Sequence, residues 1–274
     1  TGGAPVRLTS HPGNETPMTV LEDGSVIFSA NIQQDARYGD FPRGSQIYMI
    51  GPEGGRPEMV TSMQISNMSV RLDNTVIYED YKGYEDPLRK HHTSSVTRDI
   101  WMYVPSIDPS EGFRIDGNGT FTKLTSFNGE DRNPVFELGG TAYYYLSEQD
   151  GTLNIYYTDS LHDQLFNGGS IKSKQVTFYK GNPVRYLSIS HNGTLCYSYD
   201  GELYTIKSGG QPEKVNIRIV TDQIEKESEI QTLTSGATRM AISPEGKEIA
   251  ITARGDVFVT SIDYKTTQRI TNTP

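Results

Sequence analysis

A unit of short strands and tight turns recurs along this sequence, and that repeat restricts the chain to a small set of architectures. Residues 187–206 contain the clearest copy, because alternating apolar runs flank the dipeptides Asn192-Gly193 and Asp200-Gly201. Both central positions of a type I′ hairpin turn need positive φ, which Asn, Asp and Gly tolerate. The segment therefore predicts a three-stranded meander with two type I′ turns.

Relatives of this unit cover most of the chain. An aliphatic residue followed by an aromatic one marks the third strand at Ile47-Tyr48, Ile100-Trp101, Ile155-Tyr156, Leu203-Tyr204 and Val257-Phe258. Turn formers separate first and second strands at Asp23-Gly24, Asp73-Asn74, Gly139-Gly140, Asn192-Gly193 and Glu245-Gly246. Fourth strands are expected at residues 58–61, 122–125, 174–177, 214–216 and 268–271. The last three of these turns are 53 residues apart, and four strands at such a period predict a β-propeller blade.

The predicted fold class is all-β, a β-propeller of four-stranded antiparallel blades. Five complete blades plus an extra N-terminal strand are expected, as part of a six-bladed or larger ring. The chain is one propeller region with blades at residues 15–61, 62–125 (with a long insertion at 80–99), 126–178, 179–217 and 235–271. Residues 218–234 are a predicted linker, in which the charged segment 222–229 suits a short helix or an exposed stretch.

The two ends of the sequence match parts of further blades. Val6 to Thr9 repeats the fourth-strand pattern, so residues 1–14 are interpreted as the outer strand of a missing blade. Residues 272–274 match the lead into another blade. We therefore expect the chain to be a piece of a longer protein.

Composition excludes several function classes. The chain has 25 Lys and Arg against 34 Asp and Glu, a formal net charge of −9. A surface of that sign repels phosphate backbones, so nucleic acid is not an expected partner. The single Cys196 allows no internal disulfide, and its alternating apolar context predicts a buried, inert thiol. No apolar run approaches the roughly 18 residues that span a bilayer.

The repeats resemble those of a known family. The blade pattern looks like the propeller repeats of tricorn-type serine peptidases at residues 242–247, 249–251, 255–259 and 268–274. The same motif type occurs in the periplasmic Tol-system propeller. The longer similarity that favours the tricorn-like branch lies at residues 80–87, 89–101, 129–134 and 253–256.

That resemblance implies a function for the parent protein. Tricorn-type enzymes carry N-terminal propellers, a PDZ-like module and a catalytic domain with a serine nucleophile. No Gly-x-Ser-x-Gly elbow occurs in this sequence, so we expect no catalytic residue here and a nucleophile beyond Pro274. The expected function is gating or guiding peptides, substrates or products, to a catalytic domain outside this chain. The alternative is a free-standing protein-interaction propeller of the Tol-system kind.

The resemblance also sets expectations for partners and compartment. The expected partners are the downstream PDZ-like and catalytic domains and peptides, with further copies of the chain as an alternative. No membrane span is expected. The expected location is the periplasm or outside the cell, because bacterial relatives of this type are often exported, and the cytoplasm is the alternative.

The insertion at residues 80–99 is the predicted contact site. It is far longer than a hairpin needs, and loops beyond about 12 residues are commonly functional. Its mixture of charge and aromatic rings suits docking of another domain or of an extended peptide. The candidate contact residues are Tyr81, Tyr84, Glu85, Asp86, Arg89, Lys90, His91, His92 and Arg98. The competing interpretation is a solvated excursion that packs on its own blade.

Two segments resemble metal sites at first sight. His91 and His92 lie near Glu85 and Asp86, but adjacent side chains of an extended segment point to opposite sides. Residues 116–120 have the oxygen-rich spacing of a calcium loop, but they lack the later bidentate Glu. That segment is interpreted as the turn between a third and a fourth strand. No metal and no cofactor is predicted.

Overall fold

The computed structural model describes residues 6–32, 45–84, 93–106, 112–159, 161, 173–217, 232–264 and 266–271. In this part of the chain, twenty β-strands form five antiparallel sheets of four strands each. Every sheet consists of four consecutive strands, and we call the sheets blades 1 to 5 in chain order. The predicted all-β architecture with five four-stranded blades is confirmed.

The strands are short, as a blade requires. Blade 1 contains β1 (Glu15–Val20), β2 (Val26–Ala30), β3 (Gln46–Ile50) and β4 (Glu58–Thr61). Blade 2 contains β5 (Ile65–Val70), β6 (Val76–Asp80), β7 (Ile100–Val104) and β8 (Thr120–Lys123). Blade 3 contains β9 (Asp131–Phe136), β10 (Tyr143–Ser147), β11 (Asn154–Thr158) and β12 (Lys174–Gln175). Blade 4 contains β13 (Arg185–Ile189), β14 (Leu195–Tyr199), β15 (Glu202–Ile206) and β16 (Glu213–Lys214). Blade 5 contains β17 (Ala237–Ile242), β18 (Glu248–Ala253), β19 (Asp256–Ser261) and β20 (Thr267–Arg269).

The chain divides into two compact units, residues 1–217 with blades 1 to 4 and residues 218–274 with blade 5. The division coincides with the start of the predicted linker. Residues 6–14 lie outside the five sheets, although Leu8 packs against buried residues of blade 1. The charged segment 222–229 lies outside the described residues.

All five aliphatic–aromatic pairs lie on third strands, as predicted. Successive side chains of a strand point to opposite faces, so the pairs of blades 2 and 3 each contribute to two junctions. Ile100 packs between blades 2 and 3, whereas Trp101 packs against the cluster between blades 1 and 2. Ile155 packs between blades 3 and 4, whereas Tyr156 faces blade 2. Blades 2 and 3 therefore bury both faces by stacking on their neighbours.

The turns between first and second strands share one hydrogen bond, in which an N–H donates to the carbonyl three residues earlier, but they differ in part from the prediction. In blade 4 the Gly193 N–H donates to the Ser190 carbonyl at 2.9 Å, and Gly193 has a φ of +79°. Asn192 does not have positive φ, so the prediction of a type I′ turn is wrong here. The reason is length, because five residues separate β13 from β14 and a two-residue turn is not required. The Asp200-Gly201 turn is confirmed, with φ values of +51° and +77°.

The first strand of every blade carries a register shift against the second. In blade 4 this bulge holds Tyr186 at a φ of +55° with 75% of its surface exposed. A bulky residue in the left-handed region costs roughly 1 kcal/mol or more. Because the ring is exposed, packing does not offset that cost.

Two smaller expectations can be compared with the structure. Cys196 is half-buried and free, so the prediction of a buried thiol is wrong. It lies on β14, where a neighbouring tyrosine, Tyr197, takes the fully buried position. Among the residues described, no helix has the length and apolarity needed to cross a bilayer.

Candidate functional site

The two ends of the insertion, just after β6 and just before β7, are held together by hydrogen bonds. The Asp80 N–H donates to the Asp99 carbonyl at 3.1 Å, and the Asp99 N–H donates to Asp80 Oδ1 at 2.8 Å. A methyl group at Gly83 would lie 3.0 Å from a methyl of Val96, so the two arms remain close further out. Both ends therefore have fixed positions at the edge of blade 2.

Lys82 joins the two arms electrostatically. Its ammonium group donates to the Thr97 carbonyl at 2.6 Å and to Asp99 Oδ2 at 2.5 Å, and lies 3.5 Å from Asp80. Lys123 approaches the same Asp99 carboxylate at 2.9 Å. Burial raises the pKa of Asp80, although the hydrogen bond from the Asp99 N–H and the charge of Lys82 oppose the effect. The base of the insertion is thus a balanced set of two ammonium groups and two carboxylates.

An open cleft of about 620 Å³ lies on one side of this base, and we call it the insertion cleft. Its lining residues are mostly aromatic or apolar: Met63, Gln64, Tyr78, Asp80, Tyr81, Lys82, Trp101 and Phe121. Asp80 Oδ2 accepts a hydrogen bond from Trp101 Nε1 at 3.2 Å, which fixes the indole ring. Apolar rings with a few polar groups are typical of a site that accepts side chains of a ligand.

A buried charge network lies between blades 2 and 3, directly behind the insertion. Arg98 Nε is 3.0 Å from Glu79 Oε1, and an Arg98 terminal nitrogen is 3.0 Å from Glu130 Oε1. Arg132 Nε approaches Glu130 at 2.9 Å and Glu79 at 3.6 Å. Glu79, Arg98 and Glu130 are all buried. Two guanidinium groups therefore balance two carboxylates at a site that only Arg132 exposes in part, and breaking such an arrangement is costly.

Asp131 is the additional carboxyl group of this region. It is 1% exposed, and its Oδ1 has no hydrogen-bond partner among the described residues. Burial raises its pKa to about 7, with a further contribution from the negative charges of Asp99 and Glu130, against hydrogen bonds from Ser147 and Thr125. Burial also raises the pKa of Glu79, although the charge of Arg98 and hydrogen bonds from the Asn133 N–H and the Asn67 amide oppose the effect. Glu79 and Glu130 lie beside arginines, whereas Asp131 has no arginine partner among the described residues, so its carboxyl group takes up a proton near neutral pH.

The structure places three of the predicted contact residues. Tyr81 lines the insertion cleft, and the Arg98 guanidinium lies 5.6 Å from the centroid of its ring. Tyr84 is 74% exposed on the outer arm. Arg98 is buried in the charge network, where it joins two blades and does not reach the surface. The other six, Glu85, Asp86, Arg89, Lys90, His91 and His92, lie outside the described residues.

Sequence reasoning missed Trp101, Lys82 and Asp80 as parts of the site. Trp101 was predicted only as a third-strand residue, although a residue near the end of a strand can also line a cleft. The signal available was the pair of aspartates, Asp80 and Asp99, that flank the insertion symmetrically. Two carboxylates brought together at the base of a hairpin repel unless a cation lies between them, and Lys82 is the basic residue nearest to Asp80 in the sequence.

The segment at residues 116–120 is a turn, as predicted. Asp116 Oδ1 accepts hydrogen bonds from the Asn118 N–H at 3.0 Å and from the Tyr103 hydroxyl at 2.9 Å. Gly117 has a φ of +82°, and Thr120 begins β8. Within the described ranges, no group of three or more His, Cys, Asp or Glu side chains is arranged to hold a metal.

Comparison with known proteins places the fold. No protein-family model and no curated protein matches the sequence. The structure is similar to a crystal structure of the tricorn protease, with a TM-score of 0.58 and 17% identity over 94% of this chain and 22% of that chain. It is also similar to TolB from Acinetobacter baumannii, with a TM-score of 0.50 and 16% identity over 96% of this chain and 55% of that chain. This chain thus spans about a fifth of the tricorn chain and about half of TolB. It has a propeller fold of the tricorn and TolB type.

Proposed function

We propose that this chain is a non-catalytic propeller domain of a tricorn-like serine peptidase, which guides peptides toward a catalytic domain outside this chain. The similarity to the tricorn protease supports the proposal, because almost all of this chain corresponds to a fifth of that protein. The sequence resemblance at residues 80–101 and 242–274 points to the same family. A location in the periplasm or outside the cell is part of the proposal.

The insertion cleft is the observation that carries the peptide-guiding role. It lies at the base of the long connection, and Trp101, Tyr81 and Phe121 present rings to it. Aromatic rings bind side chains of an extended peptide without requiring one sequence, since they supply rigid apolar area at low entropic cost. Tyr84, three residues after Tyr81, is exposed on the outer arm of the insertion.

The direct test is to shorten the insertion in the full-length parent. Replacing residues 84–95 by Asn-Gly removes seven of the nine predicted contact residues, while Asp80, Lys82, Arg98 and Asp99 remain. Deleting all of residues 80–99 would be a poorer test, because it removes the buried guanidinium of Arg98 from between two blades. We expect kcat/KM for long peptides to fall about five- to tenfold, since one lost contact surface is worth about 1 kcal/mol or more.

The control is a matched shortening of the β3–β4 connection at residues 51–57, which lies at the opposite ends of the strands. It should leave turnover of long and short peptides unchanged. The proposal fails if the 84–95 variant, with its melting temperature preserved, cleaves both substrate lengths at the wild-type rate.

The isolated chain itself is expected to cleave no peptide. Reproducible hydrolysis that disappears when one Ser of this chain is substituted would overturn the non-catalytic assignment.

A second candidate function is a free-standing interaction propeller of the Tol-system kind. The similarity to TolB over 96% of this chain favours it. The full reading frame of the parent separates the candidates. A PDZ-like module and a serine-peptidase domain downstream of Pro274 are expected for the first, and a parent without them supports the second.

A further inference from the structure

A second cleft lies between blades 3 and 4, and we call it the 3/4 cleft. Its volume is about 360 Å³, and its lining includes the end of β15 and the start of β12. These strand ends lie at the edge of the blades that carries two kinds of connection. One joins the first strand to the second, and the other joins the third strand to the fourth. The insertion connects a second strand to a third, so the 3/4 cleft is at the opposite edge and is separate from the insertion cleft.

Aromatic side chains form one wall of the 3/4 cleft. The rings of Tyr144 and Tyr157 are 4.8 Å apart between centroids and tilted by 46°. Phe178 adds a third ring that is 72% exposed. The buried side chains of Leu195 and Ile206 also line the cleft. Rings meet at such distances in edge-to-face and offset arrangements, so a further ring from a ligand fits this surface.

Two lysines at the cleft carry unmatched positive charge. Lys174 and Lys207 are both exposed and line the cleft, and neither has an ion-pair partner among the described residues. No carboxylate of the described residues lines the cleft. Four other described lysines have carboxylate partners, as in the pairs Lys82–Asp99 and Lys214–Glu202. Burial raises the pKa of Tyr144 and Tyr157, and the charge of Glu137 adds to the effect at both, as does that of Asp159 at Tyr157. Neither carboxylate lines the cleft.

We propose that the 3/4 cleft binds a peptide segment in which an aromatic side chain is flanked by acidic side chains. The ligand ring packs against Tyr144, Tyr157 and Phe178, and the flanking carboxylates pair with Lys174 and Lys207. Each pairing with an exposed lysine should tighten binding about two- to fivefold, and the ring contact adds apolar burial. The inference does not depend on the proposed peptidase role.

The test is fluorescence anisotropy with labelled pentapeptides that are acetylated and amidated. The acidic probe is Glu-Asp-Phe-Asp-Glu, and its neutral isostere is Gln-Asn-Phe-Asn-Gln. The acidic probe should bind at least about fivefold more tightly, and Lys174→Gln and Lys207→Gln should each weaken it about two- to fivefold. Lys180→Gln, an exposed lysine outside the lining, is the matched control and should change nothing.

Several results would overturn the inference. They are absence of binding by the acidic probe, equal binding of the neutral isostere, or an equal loss of affinity in Lys180→Gln. A neutral pentapeptide with a free C-terminal carboxylate separates the two sources of carboxylate. If it binds as tightly as the acidic probe, the site recognises a chain end and the proposal is wrong. Trp101 emission should stay constant during the titration, and a change would place the peptide at the insertion cleft instead.

Discussion

The junction between blades 2 and 3 and the junction between blades 3 and 4 are packed with different chemistry. The first contains Glu79, Arg98 and Glu130 as buried charges beside its apolar cluster. The second is apolar and rich in tyrosines, and the hydroxyls of Tyr179 and Tyr197 lie 3.0 Å apart. Uncharged groups also form polar contacts at this junction. For example, the Asn154 side-chain amide donates to the Tyr179 carbonyl at 2.9 Å.

The difference shows which junction does more than hold blades together. Burying charges costs desolvation energy that an apolar junction avoids, so a charged junction is a weak source of stability. What the charges supply here is position, because Arg98 connects the insertion arm to Glu79 of its own blade and Glu130 of the next one. We interpret the charged junction as the support of the insertion cleft and the tyrosine junction as scaffold.

The largest expected effect is the loss of the central guanidinium. Arg98→Ala leaves Glu79 and Glu130 buried with less compensation, and should lower the free energy of unfolding by about 3–5 kcal/mol. Denaturant unfolding of the chain followed by circular dichroism measures this effect. Arg98→Lys is the matched control and should recover only part of the loss, since one ammonium cannot bridge both carboxylates as a guanidinium does. A loss below about 1 kcal/mol for Arg98→Ala would mean that the network is not balanced as described.

The next effect is a pH dependence confined to the charged junction. Asp131 has a pKa of about 7 in the folded chain instead of 3.8, which corresponds to on the order of 4 kcal/mol. Between pH 4 and pH 7 the unfolded chain loses this proton while the folded chain keeps it. The stability that Asp131 contributes is therefore complete below about pH 4 and is lost as the pH rises to about 7.

Asp131→Asn removes this titration. Relative to the variant, the wild type should lose stability as the pH rises from 4 to 7, and urea unfolding at several pH values measures the difference. Tyr197→Phe at the tyrosine junction is the control and should show no pH-dependent difference in this range. A constant difference between wild type and Asp131→Asn would contradict the buried, proton-holding role.

A smaller effect is expected for one hydrogen bond of the tyrosine junction. Tyr197 is fully buried, and Tyr197→Phe removes its hydroxyl contact with Tyr179 while leaving the ring. The expected loss is about 1 kcal/mol, because one neutral hydrogen bond disappears without a cavity. Thermal unfolding measures it. A loss as large as that of Arg98→Ala would remove the contrast between the two junctions.

The smallest effect has the opposite sign. Tyr186→Gly relieves a positive φ at an exposed ring and should raise stability by up to about 1 kcal/mol. Tyr264→Gly is the control, since Tyr264 is 81% exposed but does not have positive φ. That substitution should lower stability, because glycine only adds freedom to the unfolded chain there. Equal signs for the two variants in thermal unfolding would contradict the strain at Tyr186.

Local patterns predicted the blades, whereas distant contacts determined the site. The pair Ile155-Tyr156 could be placed on a third strand because alternation and turn residues lie within a few positions of it. Arg98 was interpreted as a contact residue, since its partner Glu130 is 32 residues away and no local pattern indicates that pairing. The 3/4 cleft was missed for the same reason, because Lys174 and Lys207 belong to different blades.

The insertion cleft can be tested directly through Trp101, the single tryptophan of the chain. The ligand is an unstructured, Trp-free peptide of about 15 residues, which in extended form is longer than the cleft. Titration should give a saturable change of Trp101 emission in the wild type. In Tyr81→Ala, which removes one ring of the lining, the midpoint should rise at least about fivefold at an unchanged melting temperature. Identical titrations of the two proteins, or no change of emission in the wild type, would contradict the account.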